Sequence, residues 1–501
     1  MAAADVTTPS AEQAAALQSA KQAAKWDPNP ATKAVIEKIV SDVESSADGA
    51  QETLMSAFGK RIAFGTAGLR GPMAAGYANM NDLVVMQAAQ GLVAYLQKML
   101  GSDAACERGL VLGWDHRANG SLGITSKRFA ALTALVAASV GMKVHLYSDL
   151  VATPLVPWAV DSLGAAAGVM VTASHNPAGD NGYKVYWGNG AQIIPPHDKG
   201  IAASIADNLQ PWEAVAGLVA AGDAWAAAQA QACVTALGKD MVHSYIQAVG
   251  SRLRHNKDAA PASVPLVYTA MHGVGYPFIQ AAFEAFQLPA PIPTASQVVP
   301  DPTFPTVAFP NPEEGAGALA EAMAAADAGG ADLILANDPD ADRLAVAERD
   351  AAADGGWRVF TGNEIAALLA DWVWKGHVAA GGSGAGQHML ASTVSSKMLG
   401  AMGKKHGYTF LETLTGFKWM GNKTAALREE GQSVLFSFEE AIGFCIGDIV
   451  KDKVRCACHR PHYTPHTHTH DILRRMASLQ RQCLQRWRAP SPSRDARWGS
   501  A

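Results

Sequence analysis

The chain has 501 residues, a length that allows roughly three or four domains. A hydrophobic fraction of 49% with 17% charged residues is the make-up of a globular protein with ample core. A formal net charge of -5 gives no electrostatic basis for binding nucleic acid or a membrane surface, and no apolar run approaches the roughly 18 residues of a membrane span. Met1 to Pro30 carries Asp5 and Glu12 and no arginine, unlike a transit or signal peptide, so a cytoplasmic location is the default. Six cysteines give no disulfide framework.

Residues 11–58 read as helical, broken at Asp27-Pro28-Asn29-Pro30. From Phe64 the pattern becomes mixed. Strand-like apolar runs are predicted at Gly109–Gly113, Val144–Tyr147, Gly168–Val171, Leu266–Thr269, Leu333–Leu335 and Val434–Phe438. Helices are predicted over Leu83–Met99, Ser126–Val140, Ala232–Ser251, Phe278–Phe286 and Gly315–Ala328, with another opening at Thr361 and running through Trp374. This alternation argues for α/β units with helix-covered sheets. The alanine-rich stretch Ala214–Ala230 marks a boundary, and Gly376–Gly386 reads as a connector. The expected α/β units are 1–213, 214–354 and 355–453.

Two loops at predicted strand ends carry the chemistry. Thr172-Ala173-Ser174-His175-Asn176-Pro177 presents a hydroxyl after a buried run. The bland reading is a turn or helix cap. A catalytic triad is not supported, because His175 is adjacent to Ser174 in sequence and no further partner is evident. What remains is a serine that carries a phosphoryl group. Asn176, Asp180 and Lys184 are near enough in sequence to shape its surroundings, although a lone lysine is usually surface. Asp338-Pro339-Asp340-Ala341-Asp342-Arg343 is more specific. Alternate residues of an extended loop project to one side, and three carboxylates there repel one another without a cation. Oxygen ligands select a hard ion, Mg²⁺ or Ca²⁺. An EF-hand is excluded by Arg343 at its sixth position and Arg349 at its twelfth. No Walker lysine loop is present, so a nucleotide donor is not indicated. Transfer between a phosphoserine and a phosphorylated metabolite fits both loops.

Together these residues resemble the α-D-phosphohexomutase superfamily, in particular its phosphoglucomutase-2 and phosphopentomutase branch. The resemblance runs from about residue 60 to 453. It includes Phe64-Gly65-Thr66-Ala67-Gly68-Leu69-Arg70-Gly71, Thr172–Pro177 with Asp180–Lys184, and Met271-His272-Gly273-Val274-Gly275. It continues through Asp338–Arg343, Thr415–Gly421 and Phe438–Gly443. The resemblance implies three consecutive α/β domains with mixed sheets. It implies a phosphosugar mutase that interconverts sugar 1-phosphate and 6-phosphate, or pentose 1- and 5-phosphate, through a phosphoserine and a bisphosphate that reorients without leaving. Mg²⁺ on Asp338, Asp340, Asp342 and phosphorylated Ser174 follows from it, with sugar 1,6-bisphosphate as activator. So do catalytic roles for Ser174, His175 and Arg70, and for a lysine beyond the Glu439-Glu440 pair, Lys453 first and Lys451 second. Arg343, Lys184, Thr415, Gly416, Lys418, Glu439 and Ala441 are the implied substrate contacts. The expected partner is a small phosphosugar, without nucleic acid or membrane. A sugar-bisphosphate synthase and a non-catalytic sugar-phosphate-binding fragment are the alternatives.

The family pattern stops at Lys453. Relatives carry a fourth domain with a Ser/Thr-rich phosphate loop that has no counterpart here. Residues 454–501 begin Val454-Arg455-Cys456-Ala457-Cys458-His459 and continue with His466-Thr467-His468-Thr469-His470. The cysteine spacing is one residue short of a haem motif. Alternating His-Thr is what a CA repeat encodes, so this tail is expected to be translated intron or an equivalent gene-prediction error, and disordered. Weak or absent mutase turnover is the corresponding expectation.

Overall fold

The strands at the centre of this chain are buried along their whole length, as strands covered by helices on both faces must be. A computed structural model describes residues 10–65, 68–220, 222–254 and 265–453. Thr66 and Ala67 of the glycine motif and the whole of the 454–501 tail lie outside the described residues.

The chain begins with three helices, Ala11–Trp26, Pro30–Glu44 and Ala50–Phe58. Ser10 caps the first, accepting from Gln13 N at 3.2 Å while the Gln13 side chain accepts from Ser10 N at 2.8 Å. Asn29 caps the second, where Pro30 occupies the first turn and needs no donor partner. Asn29 Nδ2 also donates to Leu122 O at 2.9 Å, which ties the helices to the first sheet unit. Ala20, Ile36, Leu54 and Phe58 form a small core of their own, closed by Leu83.

The first sheet contains β1 (Gly68–Pro72), β2 (Leu110–Trp114), β3 (Val144–Tyr147), β4 (Ala167–Val171), β5 (Asp180–Trp187) and β6 (Val234–Leu237), in the order β1-β5-β4-β2-β3-β6. β4, β2, β3 and β6 are parallel, and β5 and β1 are antiparallel additions. Helix Asp82–Leu100 packs between Ser126–Ala138 and His197–Asp207 on this unit. The second sheet contains β7 (Leu266–Thr269), β8 (Ile292–Pro293), β9 (Leu333–Ala336), β10 (Ala345–Arg349) and β11 (Trp357–Val359), in the order β8-β7-β9-β10-β11. The third contains β12 (Gln387–Ser392), β13 (Thr409–Thr413), β14 (Ser433–Glu439) and β15 (Gly443–Ile446), in the order β13-β12-β14-β15. The fold is therefore three consecutive α/β units with mixed sheets. Among the described residues, no helix is long and apolar enough to cross a membrane.

Several sequence expectations are corrected. The single helix expected over Ala232–Ser251 is a strand, Val234–Leu237, followed by helix Lys239–Leu253. Gly238 separates them, and the preceding apolar residues pair beside β3. That strand completes the first sheet, so for the sheet the first unit extends past the boundary expected at residue 213. The alanine-rich stretch is packing rather than boundary: Glu213–Ala220 and Ala224–Gln229 both lie on Ser126–Ala138. Likewise, β11 joins the second sheet beyond the expected limit at 354. The helix expected over Gly315–Ala328 is a short 3-10 segment, Pro312–Gly317, and then an α-helix, Ala320–Gly329. The helix that opens at Gly362 continues to Ala379, into the expected connector.

The N-terminal helices have a core separate from the sheets. Leu54→Ala should therefore cost about 2–5 kcal/mol in denaturant unfolding followed through that segment, while divalent-metal binding, measured calorimetrically, stays unchanged.

Candidate active site

Most of the loops that carry the sequence motifs leave the carboxyl ends of strands, where ligands of α/β sheets collect, while Arg70 and Lys184 lie within β1 and β5. The serine loop follows β4, the aspartate loop follows β9, and Met271-His272-Gly273 follows β7. Thr415 and Gly416 follow β13, and Glu439 ends β14.

Ser174 is buried, with φ 53, in the left-handed region that non-glycine residues seldom occupy. Its amide donates to Thr172 Oγ1 at 2.9 Å, which fixes the turn. Its hydroxyl donates to Asp338 Oδ2 at 2.6 Å and lies 3.3 Å from His175 Nδ1. The hydroxyl of the first loop thus meets the first carboxylate of the second, across 164 residues of sequence.

Asp338 and Asp340 are 0% exposed and Asp342 2%, and one oxygen of each lies within 4.8 Å of the others. Asp338 Oδ1 accepts the backbone amides of Asp342 at 3.2 Å and Arg343 at 3.0 Å. Asp340 Oδ2 accepts from Thr153 Oγ1 at 2.6 Å and from Lys184 Nζ at 2.6 Å. Lys184 Nζ also reaches Asp342 Oδ2 at 3.0 Å. Lys453 Nζ is 3.3 Å from Asp342 Oδ2 and 3.6 Å from Glu439 Oε1. Asp340 Oδ1 and Asp342 Oδ1 are buried without a hydrogen-bond partner among the described residues. Oxygens left in that condition fit a hard divalent cation.

The platform beneath this loop depends on glycine. A Cβ on Gly273 would stand 2.3 Å from Pro339 Cα, so only glycine lets Val274 N donate to Pro339 O at 2.8 Å. Gly443 does the same for the third unit, since its Cβ would stand 2.6 Å from Lys453 Cδ and 3.0 Å from Glu439 Cγ.

Models of the three alpha/beta/alpha domains of the phosphoglucomutase/phosphomannomutase family match residues 61–211 (domain I), 243–355 (domain II) and 361–457 (domain III). The chain belongs to this family. It is 45% identical over 445 residues to phosphopentomutase of Mus musculus, an alignment covering 87% of this chain and 68% of that one. It is 42% identical over 434 residues to glucose 1,6-bisphosphate synthase of Homo sapiens, covering 86% and 67%. A solved phosphoglucomutase/phosphomannomutase family protein from Burkholderia thailandensis is similar in fold, with a TM-score of 0.58 at 18% identity, covering 79% of this chain and 74% of that one.

Electrostatics organise the phosphoglucomutase/phosphomannomutase site of this chain. Burial and the neighbouring Asp340 and Asp342 push the Asp338 carboxyl well above its ordinary range. Burial acts the same way on Asp340, but Lys184 outweighs it and holds that carboxyl far below. Burial works against the Lys453 ammonium, yet Asp342 and Glu439 outweigh it, so Lys453 is held protonated. Burial, with Arg343 and Arg70 adding to it, pushes His175 down to about 3. Its imidazole is neutral at neutral pH.

Not every expected residue joins this centre. Lys451 Nζ pairs with Asp161 Oδ1 at 3.0 Å instead of with the carboxylate triad. Arg70 Nη1 donates to Asn176 Oδ1 at 3.0 Å, at the exposed edge of the serine loop. Arg343 Nη1 is held by Glu313 Oε2 at 2.5 Å. Thr415 is exposed, and Gly416 caps helix Phe417–Glu429 with φ 106. Lys418 is largely buried with Nζ over the Trp419 ring, 5.5 Å from its centroid. Ala441 sits in the turn between Glu440 and β15, and Glu440 Oε2 fixes that turn by accepting from Ser392 at 2.8 Å and Ser395 at 2.7 Å. Sequence reasoning missed Glu440, Thr153, Glu313 and Arg117. For Arg117 a signal existed, because Asp115-His116-Arg117 is also a polar triplet directly after an apolar strand.

His116, beside that arginine, packs edge-on against Phe304 with ring centroids 5.3 Å apart. Burial pushes its imidazole down to about 4 from an ordinary 6.5. The folded chain therefore binds this proton less readily than the unfolded chain does. The stability so contributed is complete above about pH 6.5 and is lost as pH falls toward about 4. The thermal midpoint should decline over that window, and His116→Gln should flatten part of the decline. An identical slope in the variant would exclude His116 as its source.

Proposed function

We propose that this mutase interconverts sugar 1-phosphates with the corresponding 6-phosphates, or pentose 1-phosphates with 5-phosphates, through phosphorylated Ser174 and a sugar bisphosphate. The observation that carries the reading is the 2.6 Å hydrogen bond from Ser174 Oγ to Asp338 Oδ2, inside a buried three-carboxylate cluster. The similarity to phosphopentomutase at 45% identity supports the pentose arm.

Asp338, Asp340, Asp342 and the serine oxygen would hold Mg²⁺, and when bound the ion supplies charge stabilisation for phosphoryl oxygens. The protein's own groups account for the rest. Phosphoserine gives its phosphoryl group to a sugar hydroxyl: the new O–P bond forms as the Ser174 Oγ–P bond breaks. Lys184 and Arg343 bring positive charge to the oxygens of the transferring group. His175, being neutral, orients the serine oxygen without competing for its charge. Glu439, pushed up by burial although Lys453 lowers it in part, faces sugar hydroxyls. On return of the second phosphoryl group to Ser174, the departing sugar oxygen takes a proton from the Lys453 ammonium. That proton is the one the Lys453 amine takes from the attacking sugar hydroxyl in the first transfer, so it returns to the sugar over the cycle.

A second reading, release of the bisphosphate as product, is favoured by the similarity to glucose 1,6-bisphosphate synthase at 42% identity. Both readings use one site and differ in whether the bisphosphate leaves.

Purified protein incubated with Mg²⁺ and glucose 1,6-bisphosphate should acquire one phosphoryl group on Ser174 by mass spectrometry. With ribose 1-phosphate or glucose 1-phosphate it should give the isomeric product in a coupled assay. Ser174→Ala should abolish both, and Lys453→Met should lower turnover about 100- to 10,000-fold. Isomerisation undiminished in Ser174→Ala would overturn the reading, and accumulation of free bisphosphate would favour the second one. Removing Mg²⁺ with EDTA should stop transfer. Calorimetry should show protons released as the metal binds, because Asp338 must give up its proton, and Asp340→Asn should remove the binding heat.

A further inference from the structure

Arg117 stands just beyond the carboxyl end of β2, and its side chain is fully buried, at 0% exposure. A guanidinium withdrawn from water is costly unless its N–H groups find acceptors. Nη1 donates to the carbonyl oxygens of Pro177 at 2.8 Å and Asp180 at 3.0 Å. Nη2 donates to those of Ser174 at 2.6 Å and Asn176 at 2.7 Å. Nε lies 3.5 Å from Asp115 Oδ2. Asp115 Oδ1 accepts from Arg117 N at 3.1 Å and from Ser126 Oγ at 2.6 Å, which anchors the pair to the body of the first unit.

All four carbonyl acceptors lie between Ser174 and Asp180, on the loop that carries the reacting hydroxyl and on the first residue of β5. The shortest of the four bonds goes to the carbonyl of Ser174 itself, the residue with φ 53. Left-handed backbone at a non-glycine residue persists only where its surroundings hold it. A buried arginine whose task was only to fill the core would not need its acceptors gathered on residues 174–180. Arg117 contacts Ser174 through the main chain and leaves Oγ free to meet Asp338.

We propose that Arg117 is the positioning residue for phosphoryl transfer: its fork of four hydrogen bonds holds the serine loop in the strained turn that aims Ser174 Oγ at Asp338. This rests on the mutase reading, since positioning has meaning only if Ser174 carries phosphate. Arg117→Lys keeps the charge beside Asp115 but offers a single nitrogen where Nη1 and Nη2 together make the four bonds. Asp115→Asn leaves the fork in place and removes its anchoring charge, and serves if the lysine variant does not fold.

The experiment has two arms. In the first, single-turnover phosphorylation of Ser174 by glucose 1,6-bisphosphate is followed over a range of bisphosphate concentrations. A misplacement on the order of 1 Å at the reacting oxygen should lower the maximal rate about a hundredfold in Arg117→Lys. The half-saturating concentration should stay unchanged, because the substrate contacts lie on other loops. Asp115→Asn should show the same split with a smaller loss. In the second arm, amide hydrogen exchange of the substrate-free protein should speed up for peptides covering residues 172–182, while β2 and β3 exchange as in the wild type. A wild-type maximal rate in Arg117→Lys, or unaltered exchange over 172–182, would overturn the proposal. So would a loss confined to half-saturation, or one accompanied by faster exchange throughout the sheet. Absence of phosphoserine in the wild type would instead sink the mutase reading, and the exchange arm would still decide the clamp.

Discussion

Four carboxylates and three cationic side chains compressed into one buried volume govern this structure. Asp338, Asp340, Asp342 and Glu439 are buried beside Lys184 and Lys453, with Arg343, itself paired with Glu313, at the edge of the cluster. Removing one partner from such a cluster strands a charge in low dielectric, which is far more damaging than losing a surface ion pair. The cluster draws residues from all three sheet units: Lys184 from β5, the aspartates from the loop after β9, and Glu439 from β14. Its electrostatic balance therefore couples the units. Asp338, with its raised affinity for a proton, is the one aspartate of the three with no ion pair among the described residues. It is also the one that receives the serine hydroxyl.

The backbone carries a second constraint. Of the eight left-handed non-glycine residues among the described residues, five are Ser174, Met271, His272, Ala341 and Ile442; the others are Ser46, Gln287 and Phe304. Each of the first five lies in a loop at a strand end beside the cluster, and each costs about 1–3 kcal/mol that neighbouring contacts must offset. The offsetting contacts are specific. Arg117 holds the serine loop, the glycine at 273 lets Pro339 approach, and Ile442 O accepts from Leu344 N at 3.1 Å, joining the aspartate loop to the glutamate turn. Much of the strain and its compensation lies where a phosphoryl group would be exchanged.

Much of this was legible in the sequence for a physical reason. Central parallel strands must be apolar throughout, so Val144–Tyr147 and Leu266–Thr269 stand out with their observed limits. Polar clusters directly after such runs mark the functional loops. The antiparallel strand Asp180–Trp187 was not legible, because its alternating glycine, tyrosine and lysine resemble neither a buried run nor a clean two-residue repeat. Yet that strand delivers Lys184 to the aspartates. The strand Val234–Leu237 was hidden within an apparent helix, since its identity depends on pairing with β3 and not on its own composition.

Residue chemistry and strand-end position by themselves determined that a serine loop and a three-aspartate loop exist, and that hard-cation phosphate chemistry suits them. Only the tertiary structure decided which side chains meet. Lys453 and Lys451 are two residues apart and chemically identical, yet one reaches Asp342 and Glu439 while the other pairs with Asp161. Regular extended backbone would send residues two apart to the same side, but the chain bends at Lys451 and Asp452, and the direction of each lysine is set by packing against distant segments. Arg117 shows the same limit: its polar triplet after an apolar strand marks a strand-end loop, but its role appears only when four carbonyls some sixty residues away converge on it.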